Sequence, residues 1–243
     1  MTVKVKDDKN DQAIRQLFEA GAHFGYSRSR RHPSVQSYIY GFKNRVAIVD
    51  LRQVVTALEK AKNFLSSLAA NNQTVLWVGT KNEARAFVQV AAEDLNQPYV
   101  IGRWLGGTLT NFSQLQKRLG RLSDLKTKKD KGELSIYTKK EQLLIDREIA
   151  DLERRFGTIA SLKHLPATVV VIDSRAEDLA VREARQMKIP VVSLSGTDCN
   201  LVGINFPVVG NDAGRASIKY FVDQLATAYR AGKMTPPVVA PAV

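Results

Sequence analysis

Short runs in which almost every position is apolar alternate along this chain with longer stretches whose apolar residues recur at helical spacing. Arg45 to Asp50 (RVAIVD) and Thr74 to Gly79 (TVLWVG) are runs of the first kind. Between them, Leu51 to Ala70 sets Val54, Val55, Leu58, Ala61, Phe64, Leu65 and Leu68 on one helical face, which predicts a β-α-β unit. A second helix is expected over Asn82 to Leu95, with Ala84, Phe87, Val88 and Ala91 inward, followed by the short apolar run Pro98 to Ile101. Ala167 to Asp173 (ATVVVID) and Ile189 to Leu194 (IPVVSL) repeat the strand pattern on either side of a helical stretch from Glu177 to Met187. Nearly continuous apolar strands alternating with helices predict an α/β fold with a parallel sheet covered by helices on both faces.

The middle of the chain departs from this rhythm. Asn111 to Leu125 and Lys139 to Phe156 are helical in pattern but thin in apolar residues. Leu115, Leu119, Leu122 and Leu125 form one narrow stripe; Leu143, Leu144, Ile149, Leu152 and Phe156 form the other. Two such helices, joined by a Lys-rich link containing Gly132, can bury only each other's stripes, so an antiparallel helical hairpin is expected to project from the sheet domain. It is read equally as a docking arm or a solvated surface feature. The expected organisation is a discontinuous α/β domain over 1–110 and 158–231 with an N-terminal helical segment, an inserted hairpin over 111–157, and a flexible Pro-rich tail over 232–243.

Charge narrows the class of partner. The 243 residues include 36 Lys and Arg against 24 Asp and Glu, a formal net charge of +12. An excess of this kind gathers polyanions, and its placement is uneven. From His23 to Arg45 the bases Arg28, Arg30, Arg31, Lys43 and Arg45 meet no acid and are interleaved with Phe24, Tyr26, Tyr38, Tyr40 and Phe42. From Lys117 to Lys131, Lys117, Arg118, Arg121, Lys126, Lys128, Lys129 and Lys131 face only Asp124 and Asp130. Two separated basic runs, one of them with flat rings among the guanidinium groups, point to RNA rather than to a merely solvated face. No apolar run is long enough for a membrane span and none resembles a secretory signal. A single cysteine, Cys199, allows neither an internal disulfide nor a cysteine-rich zinc module, so a cytoplasmic location is expected.

Candidate chemistry is sparse. Gly79-Thr80-Lys81 and the stretch Arg103 to Asn111 (RWLGGTLTN) follow strand signals, and glycine-freed amides at such turns can hold phosphate. Neither matches GxxxxGK[ST] or GxGxxG, which leaves a nucleotide-binding α/β enzyme as the alternative reading. His23, His32 and His164 lie in no HExxH arrangement, and no GxSxG is present. Asp173, at a strand end, is expected to cap a helix or pair with Arg175. Cys199, with no neighbouring base, is expected to be an inert thiol.

Several blocks together resemble a known family. LFEAGAHFG from Leu17 to Gly25, Arg30-Arg31-His32-Pro33, Tyr38-Ile39-Tyr40-Gly41, Val78-Gly79-Thr80-Lys81 and the RWLGGTLTN block run in the order seen in the bacterial-type small-subunit ribosomal protein S2 family (uS2). Leu165-Pro166, Val171-Ile172-Asp173, Ile189-Pro190-Val191-Val192 and Gly210-Asn211-Asp212 continue the series, and the resemblance covers roughly Gln16 to Arg230.

The resemblance implies a flavodoxin-like domain with an inserted coiled-coil hairpin. It further implies a non-enzymatic protein that binds 16S-type rRNA near the junction of head and body, monomeric within the ribosome. Neighbouring small-subunit proteins, an S1-like protein among them, are implied partners. A bacterial rather than organellar ribosome is expected. The residues expected to meet RNA are Arg28, Arg30, Arg31, Lys43, Arg45, Lys81, Arg103, Trp104, Thr110, Asn111, Lys117, Arg118, Arg121, Lys126, Lys128 and Lys129. Tyr26, Tyr38, Tyr40 and Trp104 are candidate base stackers, although core packing suits Tyr38, Tyr40 and Trp104 as well.

Two departures from the family pattern matter. The family's histidine after HFG is Tyr26 here, and Gly196 stands where the family has an aspartate. In some members those two residues, with the pair matching Asn211 and Asp212, are thought to hold zinc. With two ligands replaced, no metal and no cofactor is expected.

Overall fold

The computed structural model describes residues 3–234. Of the tail expected over 232–243, residues 232–234 complete the last helix and those from 235 onward lie outside the described residues, as do the side chains of residues 3–9 and of Ser135.

The chain opens with helix α1 (Val3–Glu19), which leads into strands β1 (Phe24–Ser27), β2 (Ile39–Lys43) and β3 (Val46–Val49). These three form a small antiparallel sheet in the order β1-β3-β2. Helix α2 (Leu51–Ala70) follows, its N-terminus capped by the Asp50 carboxylate, which accepts from the Arg52 amide at 3.0 Å. Then come β4 (Val75–Val78), α3 (Asn82–Asp94), β5 (Tyr99–Val100), α4 (Phe112–Asp130) and α5 (Lys139–Phe156). The chain closes with β6 (Thr168–Ile172), α6 (Asp178–Gln186), β7 (Val191–Ser195), β8 (Phe206–Val209) and α7 (Arg215–Met234).

The second sheet is fully parallel, in the order β5-β4-β6-β7-β8. Every residue of β4, β6 and β7 is buried, which follows from covering both faces of a parallel sheet. α2 and α3 each pack on α7, and α6 lies against β7. The core runs through Trp77, Leu65, Ile172, Leu194, Ile218, Phe221 and Leu225.

The expected β-α-β unit across α2 is corrected. β3 does not join β4; it pairs antiparallel with β1 and β2. Its burial alternates along the strand, as expected where only one face packs on the protein. The connection from β2 to β3 is the two-residue turn Asn44-Arg45, both at positive φ (50° and 65°), the conformation that suits a tight hairpin. β8 escapes the apolar pattern because Pro207 interrupts it, and proline is tolerated there because β8 is an edge strand.

α4 and α5 lie against each other through Leu122, Leu125 and Ile149, a separate apolar cluster joined by Ile145 and Leu152. Gly132, left-handed at φ 72°, turns the chain between them, and a Thr138–Glu141 capping box starts α5. Leu115 and Phe156, at the base of the pair, belong instead to the main core. Three ion pairs cross between the helices: Arg121–Glu148 at 3.1 Å, Lys126–Glu153 at 2.5 Å and Lys129–Asp146 at 2.7 Å.

Candidate nucleic-acid interface

In an open parallel sheet, ligands bind outside the carboxyl ends of the strands, where neighbouring crossovers diverge. Here that point lies between β4 and β6, and the protein's own side chains fill it. Beyond β4, the Thr80 amide and hydroxyl donate to Glu177 Oε1 at 2.8 and 2.5 Å. Lys81 Nζ reaches Asp173 Oδ2 at 3.0 Å and Asp212 Oδ2 at 3.3 Å. Asp173, at φ 68°, caps the turn after β6 by accepting from the Arg175 and Ala176 amides at 3.1 Å. It thus serves as the expected cap, but its ionic partner is Lys81; Arg175 pairs with Asp198.

The titration of this group follows from its geometry. Burial, then the charge of Asp173, pushes Asp212 up to about 7. Burial also opposes ionisation of Asp173, but the Lys81 bond and charge outweigh it and hold that carboxyl below the usual range. Lys81 loses solvation yet is raised overall by the two aspartates.

The RWLGGTLTN loop is likewise closed on itself. The buried Glu183 carboxylate on α6 accepts from Trp104 Nε1 at 3.1 Å and from the amides of Gly107, Leu109 and Thr110 at 2.8, 3.0 and 3.3 Å. The Thr110 hydroxyl adds a fifth donor at 3.3 Å. These bonds, against the opposing effect of burial, hold Glu183 below the ordinary carboxylate range. The loop is an anion nest of the kind that cradles phosphate, and a carboxylate of the same chain already occupies it. Trp104 is correspondingly buried, whereas Arg103, Thr110 and Asn111 are exposed.

The cations read from the sequence fall into two surfaces. Arg28, Lys43 and Arg45 are exposed together at the hairpin end of the small sheet, where the Arg28 amide bonds the Arg45 carbonyl at 3.0 Å. The Arg28 guanidinium lies 5.4 Å from the centre of the Phe42 ring. Among the described residues Arg28, Arg31, Lys43 and Arg45 form no ion pair. On α4, Arg121, Lys126 and Lys129 are engaged with α5, whereas Lys117, Arg118 and Lys128 are exposed without an ion pair among the described residues. Of the candidate stackers, Tyr40 is largely exposed, Tyr38 packs against the core, and Tyr26 lies under the Arg30 guanidinium at 4.7 Å.

Sequence reading missed a third basic group. Arg175, Arg182 and Arg185, on and just before α6, share a cleft with Arg30 and Arg31. Each stands among acids in the sequence (RAEDLAVREAR), so no local charge run marks them; only the packing of α6 beside the N-terminal segment gathers them.

The family model for ribosomal protein S2 matches residues 17–232. The chain belongs to the ribosomal protein S2 family. It is 40% identical over 215 residues to the small ribosomal subunit protein uS2 of Chloroflexus aurantiacus, covering 88% of this chain and 90% of the relative. To the protein of that name from Nocardia farcinica it is 38% identical over 219 residues, covering 90% and 77%. To that of Spiroplasma citri it is 40% identical over 213 residues, covering 88% of this chain and 59% of the relative.

The S2 pattern also makes sense of Gly210-Asn211-Asp212. Asn211 ties the N-terminal segment to the sheet, donating from Nδ2 to the Gly21 carbonyl at 3.1 Å, while its Oδ1 accepts from the Ala213 and Gly214 amides at 3.1 and 2.9 Å. The two departures from the family lie side by side in space. A Cβ at Gly196 would stand 2.6 Å from Asp212 Oδ1 and 2.8 Å from the Tyr26 ring. Asp173, Cys199 and Asp212 place potential donor atoms within 4.8 Å of one another. The Lys81 ammonium stands between the two carboxylates and balances the charge a divalent ion would otherwise offset. Burial and Asp212 push the Tyr26 phenol up to about 12, and burial pushes the Cys199 thiol to about the same value. With a tyrosine and a glycine where the family places two of the donors, and a resident ammonium between the two carboxylates, the residues do not fit a zinc ion.

Among the described residues no helix is long and apolar enough to cross a membrane.

Proposed function

We propose that this chain is a structural constituent of the small ribosomal subunit that binds 16S-type rRNA and supports translation without catalysing a reaction. The observation that carries the reading is the grouping of Arg28, Lys43 and Arg45, exposed and unpaired, on the small sheet of an S2-family chain. Long basic side chains there neutralise phosphates and follow RNA shape without reading bases. Exposed Lys117, Arg118 and Lys128 on α4 supply a second contact, with α4 and α5 acting as a coiled-coil arm. Arg103 and Asn111 extend the surface at the loop that Glu183 holds in shape, to which Trp104 and Thr110 contribute by positioning rather than by stacking. Lys81 acts in the same indirect way, being committed to Asp173 and Asp212. The chain works as one copy per subunit in the cytoplasm, beside neighbouring ribosomal proteins that include an S1-like partner.

The nucleotide-enzyme alternative loses its support, because both glycine-rich turns direct their amides at Glu177 and Glu183. Sucrose-gradient fractionation of native lysate at low and high salt, following this chain by mass spectrometry, tests the proposal. Co-sedimentation with small subunits that survives moderate salt is the expected result. Recovery as free protein at the top of the gradient would overturn it.

A further inference from the structure

The sheet's own switch point is plugged, but one strand further along, outside the carboxyl ends of β6 and β7, the surface opens into a cleft of about 650 Å³. One wall is Arg30 and Arg31 of the N-terminal segment. The other is Arg175, Arg182 and Arg185, with Arg182 and Arg185 three residues apart and therefore on one face of α6. Five arginines face two aspartates, Asp178 and Asp198, and no lysine lines the cleft.

Asp198 is the pivot. Its side chain is only 4% exposed, and one oxygen, Oδ2, accepts from Arg30 Nη2 at 3.3 Å and from Arg175 Nη1 at 2.5 Å. The two arginines it holds remain more than half exposed, at 56% and 57%. The Tyr26 ring beneath Arg30 fixes the plane of that guanidinium from below. Asp178 pairs with Arg182 along the helix, and Arg31 and Arg185 form no ion pair among the described residues. A nearly buried carboxylate that orients two outward-facing guanidinium groups from distant segments is a means of pre-organising cations, which reduces the cost of ordering them on binding.

The chemistry favours phosphate. Guanidinium groups match phosphate oxygens in paired hydrogen bonds. Among the described residues the one ring lining the cleft is the His32 imidazole, held at Nδ1 by Ser34, and its only apolar side chains are Val181 and Val202, too little for the apolar anchor a protein interface needs. We propose that this cleft seats the phosphate backbone of ribosomal RNA, with Asp198 as the residue that positions Arg30 and Arg175. The proposal rests on the RNA-binding reading above and adds to it a surface formed across β6, β7 and α6.

The test is binding of the full chain to salt-stripped small ribosomal subunits lacking it, measured across a salt series. Arg182→Gln with Arg185→Gln removes two exposed charges from the cleft; Lys60→Gln with Lys219→Gln removes two exposed charges elsewhere. The cleft pair is expected to weaken binding about tenfold and to flatten the plot of log K against log salt by one to two units. The control pair should change both much less. Asp198→Asn separates positioning from bulk charge: it makes the chain more positive, yet is expected to weaken binding. Equal behaviour of the two pairs, or tighter binding by Asp198→Asn, would overturn the proposal. If Asp198→Asn does not fold, the comparison of the two exposed pairs decides alone. Ultraviolet cross-linking of the native chain should join the peptide spanning 175–185 to RNA. A cross-link only to protein would assign the cleft to a protein neighbour and overturn it. Failure of the native chain to bind stripped subunits overturns both readings, whereas binding with an unaltered slope in the cleft pair overturns this one alone.

Discussion

The indole Nε1 of Trp104 donates to Glu183 Oε1 at 3.1 Å, across a separation of 79 residues in the chain. This bond joins the loop after β5 to α6 and places the carboxylate where it also receives the Gly107, Leu109 and Thr110 amides. Glu183 is only 5% exposed, so solvent cannot replace it as an acceptor.

Glu183→Gln keeps the side-chain size but removes the charge and turns one acceptor into a donor facing N–H groups. Hydrogen bonds to buried charged groups contribute more than neutral ones, and an unsatisfied buried donor costs about 1–3 kcal/mol. The expected loss of stability is about 2–4 kcal/mol, read from urea unfolding. A loss below about 0.5 kcal/mol would show that water or relaxation satisfies the loop.

Asp212 gives a pH dependence of definite sign. Its carboxyl ionises at an ordinary value of 3.8 when unfolded and at about 7 in the fold, so folding favours the neutral form. That contribution is complete below about pH 4 and is lost as pH rises through 7. Asp212→Asn lacks the effect. Its melting temperature minus that of the native chain should therefore become more positive from pH 5 to pH 8. A difference that is constant, or that falls with pH, would contradict the assignment.

Helices α2 and α7 meet at Gly232, where an added Cβ would lie 2.3 Å from the Ser66 carbonyl oxygen and 2.8 Å from its Cα. Because the obstructing atoms are backbone, Gly232→Ala must shift one helix. Overpacking of this kind costs about 1–3 kcal/mol, and in a chain of this size each kcal/mol lowers the melting temperature by about 2–4 °C. Thermal unfolding followed by circular dichroism checks it; an unchanged melting temperature would mean the helices part without cost.

Cys199 is fully buried, its thiol bonded weakly to Asp173 Oδ1 at 3.7 Å and its pKa pushed up to about 12. The thiolate is the reactive form. Alkylation by iodoacetamide at pH 8 should thus be at least about a hundredfold slower in the native chain than in guanidinium, limited by opening of the fold. Equal rates in the two states would place the thiol at the surface.

Much of the architecture was legible because it is written in local pattern. The buried strands β4, β6 and β7 read as nearly continuous apolar runs, as a strand buried on both faces must, with the buried Ser193 and Ser195 hydroxyls of β7 bonding each other. α2 and α3 read from their inward stripes, whereas Leu143 and Leu144 of the stripe expected on α5 are exposed and Ile145 packs beside Ile149 and Leu152 instead. The small sheet was not legible: β1 and β2 mix aromatic, glycine and basic residues because they are half-exposed, and β3 looks like a core strand until its partners are known. The basic residues at Arg28, Lys43, Arg45, Lys117, Arg118 and Lys128 were found as charge runs, and all six are exposed. Arg175, Arg182 and Arg185 were not, because acids beside them in sequence cancel their local charge.

By itself, the sequence determined the fold class, the S2 family and the abundance of cations, since periodicity, motif order and net charge are properties of residues and their spacing. Only the tertiary structure decided which cations stay free and which turns are open. Lys81 and the RWLGGTLTN loop look like phosphate-binding elements in one dimension. In three, Asp173, Asp212 and Glu183 arrive from 73 or more residues away to take those donors. A buried donor must be satisfied by whatever acceptor the fold brings to it, and that acceptor is set by long-range packing, which no local pattern encodes.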